Sequence, residues 1–174
     1  HFAKANIYIK QKKLKEAKKA LKTGLDIQPK NHNAIFQLGN VFLMEKDYFS
    51  AIKFFDQAIQ IKPNFWQAIN NKGLAYFEQD KIKLSINFFN KAISIEDNAE
   101  PLLGLASCIK KDDINLAISL VKKALKKDPN YANYDYREEQ LWGEKIQKST
   151  EKLFKNIELK KVVENAKTKK TKTP

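Results

Sequence analysis

Few side chains in this sequence are of a type that does covalent or metal chemistry, and none of them are spaced for it. The histidines are His1 and His32, and the one cysteine is Cys108. No HExxH, CxxC or GxSxG spacing occurs, and no glycine-rich loop could cradle a phosphate. Asp112-Asp113 has the look of an acid pair. It lies between two apolar-periodic segments, however, where a solvated turn is expected. Cys108 sits inside the apolar run "LLGLASCI" at 102–109 and reads as a buried small hydrophobe rather than a nucleophile. His32 reads as a turn residue. Neither an enzyme activity, a cofactor nor a metal is expected.

The totals point the same way. In 174 residues, apolar types make up 43% and charged types 30%, while Gly and Pro number only five each. Few turns and long elements favour an all-helical chain. A single cysteine excludes an internal disulfide framework and leans toward a reducing compartment such as the cytoplasm. No apolar run approaches the roughly 18 residues of a membrane span. The net charge is +13, yet of 33 basic residues only Arg137 is arginine. Base and phosphate recognition favours Arg's planar fork, so the lysine excess, which comes with abundant Asn and Ile, is expected to be solvated surface. It is densest near the start. Lys12, Lys15, Lys18, Lys19 and Lys22 form a basic patch that could attract RNA or an anionic membrane surface without sequence preference.

What organises the chain is a repeat. Tyr8, Phe42 and Tyr76 are 34 residues apart; so are Ala17, Ala51 and Ser85, then Gly24, Ala58 and Ala92, then Pro29, Pro63 and Asp97. A further set, Ala117, Ala124 and Pro129, follows after 32. Each period holds two helical runs, as in Ile35, Leu38, Phe42 and Leu43, a break at "EKD", then Ala51, Ile52, Phe55, Ala58 and Ile59. The small residues let two helix backbones approach, and the phenylalanines fill the space beside them. Asn31, Asn64 and Asn98 are expected N-caps.

This spacing resembles the tetratricopeptide repeat, whose pattern is a large residue, Leu-Gly, Tyr, then Ala, an aromatic and Pro. The second repeat carries it as Ile35, Leu38-Gly39, Phe42, Ala51, Phe55 and Pro63. The third departs at Lys72 and Asp97. The fourth is two residues short, puts Leu105 in the small-residue position and predicts a shifted or irregular first helix starting near Pro101. The first begins inside a helix at His1, so further repeats are expected upstream. The resemblance implies an all-α, right-handed α-solenoid of antiparallel helix pairs over residues 1–130. A long amphipathic capping helix is expected over 131–166, kinked at Gly143, with Leu141 or Trp142, Ile146, Leu153 and Ile157 on its apolar stripe. A mobile Lys/Thr-rich tail is expected over 167–174.

The resemblance also implies protein–protein interaction through a concave groove lined by the first helix of each repeat. Carried over, the groove positions are Phe2, Asn6 and Ile9 in the first repeat and Asn33, Phe36, Gln37, Asn40 and Leu43 in the second. In the third they are Gln67, Asn70, Asn71, Leu74 and Phe77. Amides interleaved with apolar side chains suit the backbone and side chains of a bound peptide. The cationic clamp that some family members use for acidic C-termini is replaced by Phe2, Phe36 and Gln67. A partner protein or peptide is therefore expected, as scaffold, adaptor or assembly factor. The alternatives are a lysine-driven polyanion binder, or the repeat segment of a longer protein whose effector domain lies elsewhere.

Overall fold

A computed structural model describes residues 1–169, all of whose regular elements are helices. Eight helices make four antiparallel pairs: α1 (Phe2–Lys10) with α2 (Leu14–Ile27), α3 (His32–Met44) with α4 (Tyr48–Ile61), α5 (Trp66–Glu78) with α6 (Ile82–Ile95), and α7 (Ala99–Ile109) with α8 (Ile114–Lys127). Each second helix packs on the first helix of the next pair, so the pairs stack as a solenoid.

The small residues act as the repeat spacing requires. A Cβ built on Gly39 would lie 2.6 Å from Phe55, and one on Gly73 would lie 2.8 Å from Phe89. The Phe89 ring also meets α7, where a Cβ on Gly104 would lie 2.6 Å from it. Gly104 thus lets α7 approach the second helix of the preceding repeat, and Leu105 beside it is buried. Helix α7 is not irregular. It begins at Ala99, capped by Asn98, whose side chain accepts from Glu100 N, and it holds Pro101 in its first turn, where the missing N–H costs nothing. The two-residue deficit falls in helix length: α7 has 11 residues where α3 and α5 have 13.

Asn31 caps α3 by accepting from Ala34 N at 3.0 Å, but Asn64 caps nothing, because α5 starts one residue later behind Phe65. Asp47 and Asp113 instead cap α4 and α8, accepting from Ser50 N and Leu116 N, which accounts for the acidic turns before those two helices. Lys72, at a position usually apolar, is buried by lying 4.1 Å over the Phe88 ring and pairing with Asp56 at 2.5 Å.

The C-terminal region departs from expectation. In place of one capping helix there is a 3-10 turn at Pro129–Ala132, then α9 (Tyr134–Glu139), α10 (Glu144–Phe154) and α11 (Ile157–Thr168). The first break falls at Leu141, which has a positive φ of 66°, and the second at Asn156, which caps α11 from Glu158 N at 2.9 Å. Ile157 is 83% exposed and leaves the expected stripe, whereas Trp142, Ile146 and Leu153 are buried. Lys167 and Thr168 close α11 rather than opening a tail, and residues 170–174 of that expected tail lie outside the described residues.

Arg137, the chain's one arginine, is fully buried and pins this region together. Its Nε donates to Gln147 Oε1 at 2.8 Å, one guanidinium nitrogen donates to Tyr131 O at 2.7 Å, and the other pairs with Glu151. A lysine cannot make three directional bonds from one plane. Arg137→Lys is expected to cost about 2 kcal/mol, read as a lower urea midpoint with helix content unchanged in water.

Candidate functional site

Two helices of the inner wall are covered on both sides. From Ala68 to Ala75, α5 has no exposed residue, and α7 is buried from Ala99 to Cys108. Their own pair partners cover one face; α10 covers the other. The expected groove is therefore occupied, over repeats three and four, by the chain itself.

The seating of α10 is specific. Glu78, at the end of α5, accepts from Ile146 N at 3.0 Å and Lys145 N at 3.2 Å, so its carboxylate caps the N-terminus of α10. A Cβ on Gly143 would lie 2.3 Å from that side chain. Asp80, in the turn after α5, pairs with Lys145. In the turn after α7, Lys110 Nζ donates to Ser149 O and Oγ at 2.5 and 2.6 Å. Thr150 meets Ser107 at 2.6 Å, and Trp142 and Ile146 join Leu74 and Phe77 in one buried cluster.

Beneath Trp142 lies a buried carboxyl. Trp142 Nε1 donates to Glu100 Oε1 at 3.2 Å, and Asn70 and Tyr131 face the same group. Burial pushes Glu100 up to about 7 against these hydrogen bonds. The same burial, reinforced by Glu100, raises the Tyr131 phenol. Asn70 Oδ1 is buried with no hydrogen-bond partner of its own, beside a carboxyl that has a proton to give when neutral.

The expected groove residues now separate. Asn70, Asn71 and Phe77 are buried and belong to the covered half, while Leu74, also buried, stands at the border between the two halves. Asn71 Nδ2 donates to Asn40 Oδ1 at 2.9 Å and Asn70 Nδ2 to Asn71 Oδ1 at 3.1 Å, so these amides form a chain that links α3 and α5. Replacing Asn71 would orphan Asn40, and the change would test stability rather than binding. Phe36 is half-buried between the Phe55 and Phe65 rings, at 5.8 and 4.9 Å. Asn6 and Asn33 are exposed; Gln37 and Gln67 are half-buried; Leu43 is buried.

What remains open is a cavity of about 620 Å³ between the first two repeats and the C-terminal segment. Leu43, Met44, Leu74, Leu141 and Trp142 supply its apolar lining, with Tyr48 and Tyr134 at its edges. Lys12 and Lys46 stand on the wall made by the turns, and Glu138, Glu144 and Lys148 on the opposite one. The sequence reading missed the second wall entirely. The apolar character of α7 all round was the available signal, because such a helix must be covered on both faces.

The basic patch divides too. Lys15, Lys18, Lys19 and Lys22 line a separate depression of about 430 Å³ floored by Phe42, while Lys12 faces the concave cavity. Lys18 is engaged already: it bonds both Glu45 oxygens at 2.7 Å and lies 4.9 Å over the Phe42 ring. Cys108 is buried 3.5 Å from Ser85 Oγ, and burial pushes its thiol up to about 12, far from the thiolate a nucleophile needs. His32 packs edge-on against Phe65 at 5.2 Å. Among the described residues, no three His, Cys, Asp or Glu side chains group to hold a metal, and no helix is long and apolar enough to cross a membrane.

Comparison with known proteins agrees with this architecture. The profile of the tetratricopeptide repeat matches residues 1–31, 32–65 and 67–98. Solved structures with the same fold include a crystal structure of MamA (20% identity, TM-score 0.67, covering 94% of this chain and 96% of that one). Others are a MamA fragment from Desulfovibrio magneticus RS-1 (18%, 0.65, 91% and 92%) and YrrB (18%, 0.61, 94% and 88%), described as having an unusual peptide-binding site. No curated protein matches in sequence.

Proposed function

Because the chain belongs to the tetratricopeptide repeat family, we propose that it is a protein–protein interaction module that holds a peptide segment of a partner in the open half of its concave wall. The cavity between the first two repeats and α9–α10 carries this reading. It has the size and the mixture of apolar lining with a few polar groups that suit a bound ligand. The peptide-binding site in the description of YrrB supports the same use of a shared fold. Leu43, Met44 and Leu141 would take the bound segment's apolar side chains. Asn6, Asn33, Phe36 and Gln37 do not line this cavity, Asn33 lying in a separate depression beside His32, and they would contact that segment only where it ran on along α1 and α3. The role is that of a scaffold, adaptor or assembly factor, and no reaction is assigned to it.

The test is a substitution inside the cavity that spares the core. Met44 and Leu141 are half-exposed, so Met44→Glu with Leu141→Gln should leave the thermal midpoint within a few degrees. Capture of partners from native extract should fall at least roughly tenfold, as expected for losing a central apolar anchor. Capture that survives both changes counts against the cavity. The lysine-driven alternative gives a different signature: polyanion binding collapses between roughly 50 and 200 mM salt, whereas capture through an apolar cavity persists.

A further inference from the structure

The two halves of the inner wall are built on the same plan, and one of them already contains a ligand-like element. In repeat three the left-handed residue of the inter-helix turn is Asp80, φ 60°, and it pairs with Lys145 of α10. The equivalent residues one and two periods earlier are Lys46, φ 61°, and Lys12, φ 56°. Both line the open cavity, both are exposed, and neither ends in a salt bridge among the described residues. On the occupied half, the wall receives a helix: apolar Ile146 and Leu153 turn inward, and a basic flank meets an acidic turn residue. On the open half the turn residue has the opposite sign.

Resting on the reading above, we propose that the open half takes an amphipathic helix from a partner whose acidic flank pairs with Lys12 and Lys46. Its apolar stripe lies over Met44 and Leu141, as Ile146 and Leu153 lie over α5 and α7. The other flank faces Glu138, which stands on the opposite wall together with Glu144, and is basic or neutral there. Glu144 is itself engaged by Lys148 at 2.8 Å, which together with Lys46 holds its carboxyl below the usual range. Charge complementarity thus fixes the direction in which the helix faces, and the apolar lining fixes its depth. The occupant differs from α10 in one respect that chemistry can read, the sign of the flank beside the turns.

The experiment uses the full chain and fluorescein-labelled synthetic helices that share one apolar stripe and differ only at the flank, which is Glu, Gln or Lys. A fourth probe has the Glu-flanked composition with prolines that keep it extended. Anisotropy at low salt should rank the helices Glu, Gln, Lys. The Glu-flanked helix should bind roughly tenfold more tightly than the Lys-flanked one, as two partly exposed charge pairs allow. Lys12→Glu with Lys46→Glu should invert the order without changing the thermal midpoint, because both positions are exposed. Equal binding of the three helices, or an order that the double variant does not invert, overturns the acidic flank but leaves the cavity reading standing. Preference for the extended probe overturns the helix. If no probe binds, or if binding survives Met44→Glu, the cavity reading falls with the proposal.

Discussion

Phe89→Ala is expected to lower stability by about 4 kcal/mol, the largest effect of any apolar truncation in the chain. The Phe89 side chain is fully buried, and its ring is clasped by Gly73 of its own repeat and Gly104 of the next. Removing it takes contacts from α5, α6 and α7 at once. The flanking glycines have no side chains with which to fill the void, so the cavity cannot collapse cheaply. Phe55 supplies the comparison: Gly39 approaches its ring in the same way, but no second glycine does, so Phe55→Ala should cost less. Urea unfolding followed by circular dichroism measures both. Equal midpoint losses would show that the double clasp adds nothing. Gly104→Ala should also be costly, since the ring has Gly73 behind it and cannot retreat.

Raising the pH from about 5 to 8 is expected to weaken the wild type by roughly 3 kcal/mol relative to Glu100→Gln. Burial pushes Glu100 up to about 7 from 4.5 in an exposed setting. Below about 4.5 the folded and unfolded chains both hold the proton, and stability is full. As pH rises the unfolded chain loses that proton first, so stability falls through the window and levels off above about 7. The groups facing Glu100 are neutral donors: Trp142 Nε1, Asn70 and Tyr131. Next beyond them are Tyr136 and Asp128, bonded to each other at 3.2 Å. No cation pairs with Glu100 among the described residues, so nothing there rescues the ionised form. The Gln variant keeps an acceptor for Trp142 and has nothing to titrate, so its own pH profile is the reference that cancels every other carboxylate. Parallel profiles for the two proteins would mean that Glu100 stays ionised or well solvated in the folded chain. The loss should be felt where Trp142 meets α7, which makes the docking of the C-terminal segment the pH-sensitive joint of the molecule.

How much of this was readable from the residues differs between the two halves of the chain. The 34-residue period, the small-residue contacts of Gly39 and Gly73 with Phe55 and Phe89, and the caps at Asn31 and Asn98 all depend on neighbours close in sequence, and they leave a periodic trace. The return of α10 to the inner wall leaves none. Its determinants are Glu78, Asp80 and Glu100, which in a sequence look like ordinary solvated charges and find their partners far along the chain, and Arg137, whose partners are near in sequence but leave no periodic trace. Glu78 caps a helix that begins 66 residues later, so no local rule could assign it. The two-residue shortening of the fourth repeat was legible in the spacing, and the structure absorbs it as a shorter α7 rather than as an irregular helix. The amides Asn40, Asn70 and Asn71 sat on the expected wall. Their spacing could not show that they would bond to one another.

The seating of α10 also changes what a partner competes against. A free helix approaching α5 and α7 meets a rival on the same polypeptide, present at an effective concentration in the millimolar range. Only a ligand of exceptional affinity would evict it. Under the function proposed here, a segment held in the open half would meet this tethered resident at Leu141, so α10 would limit the ligand's length as well as its chemistry.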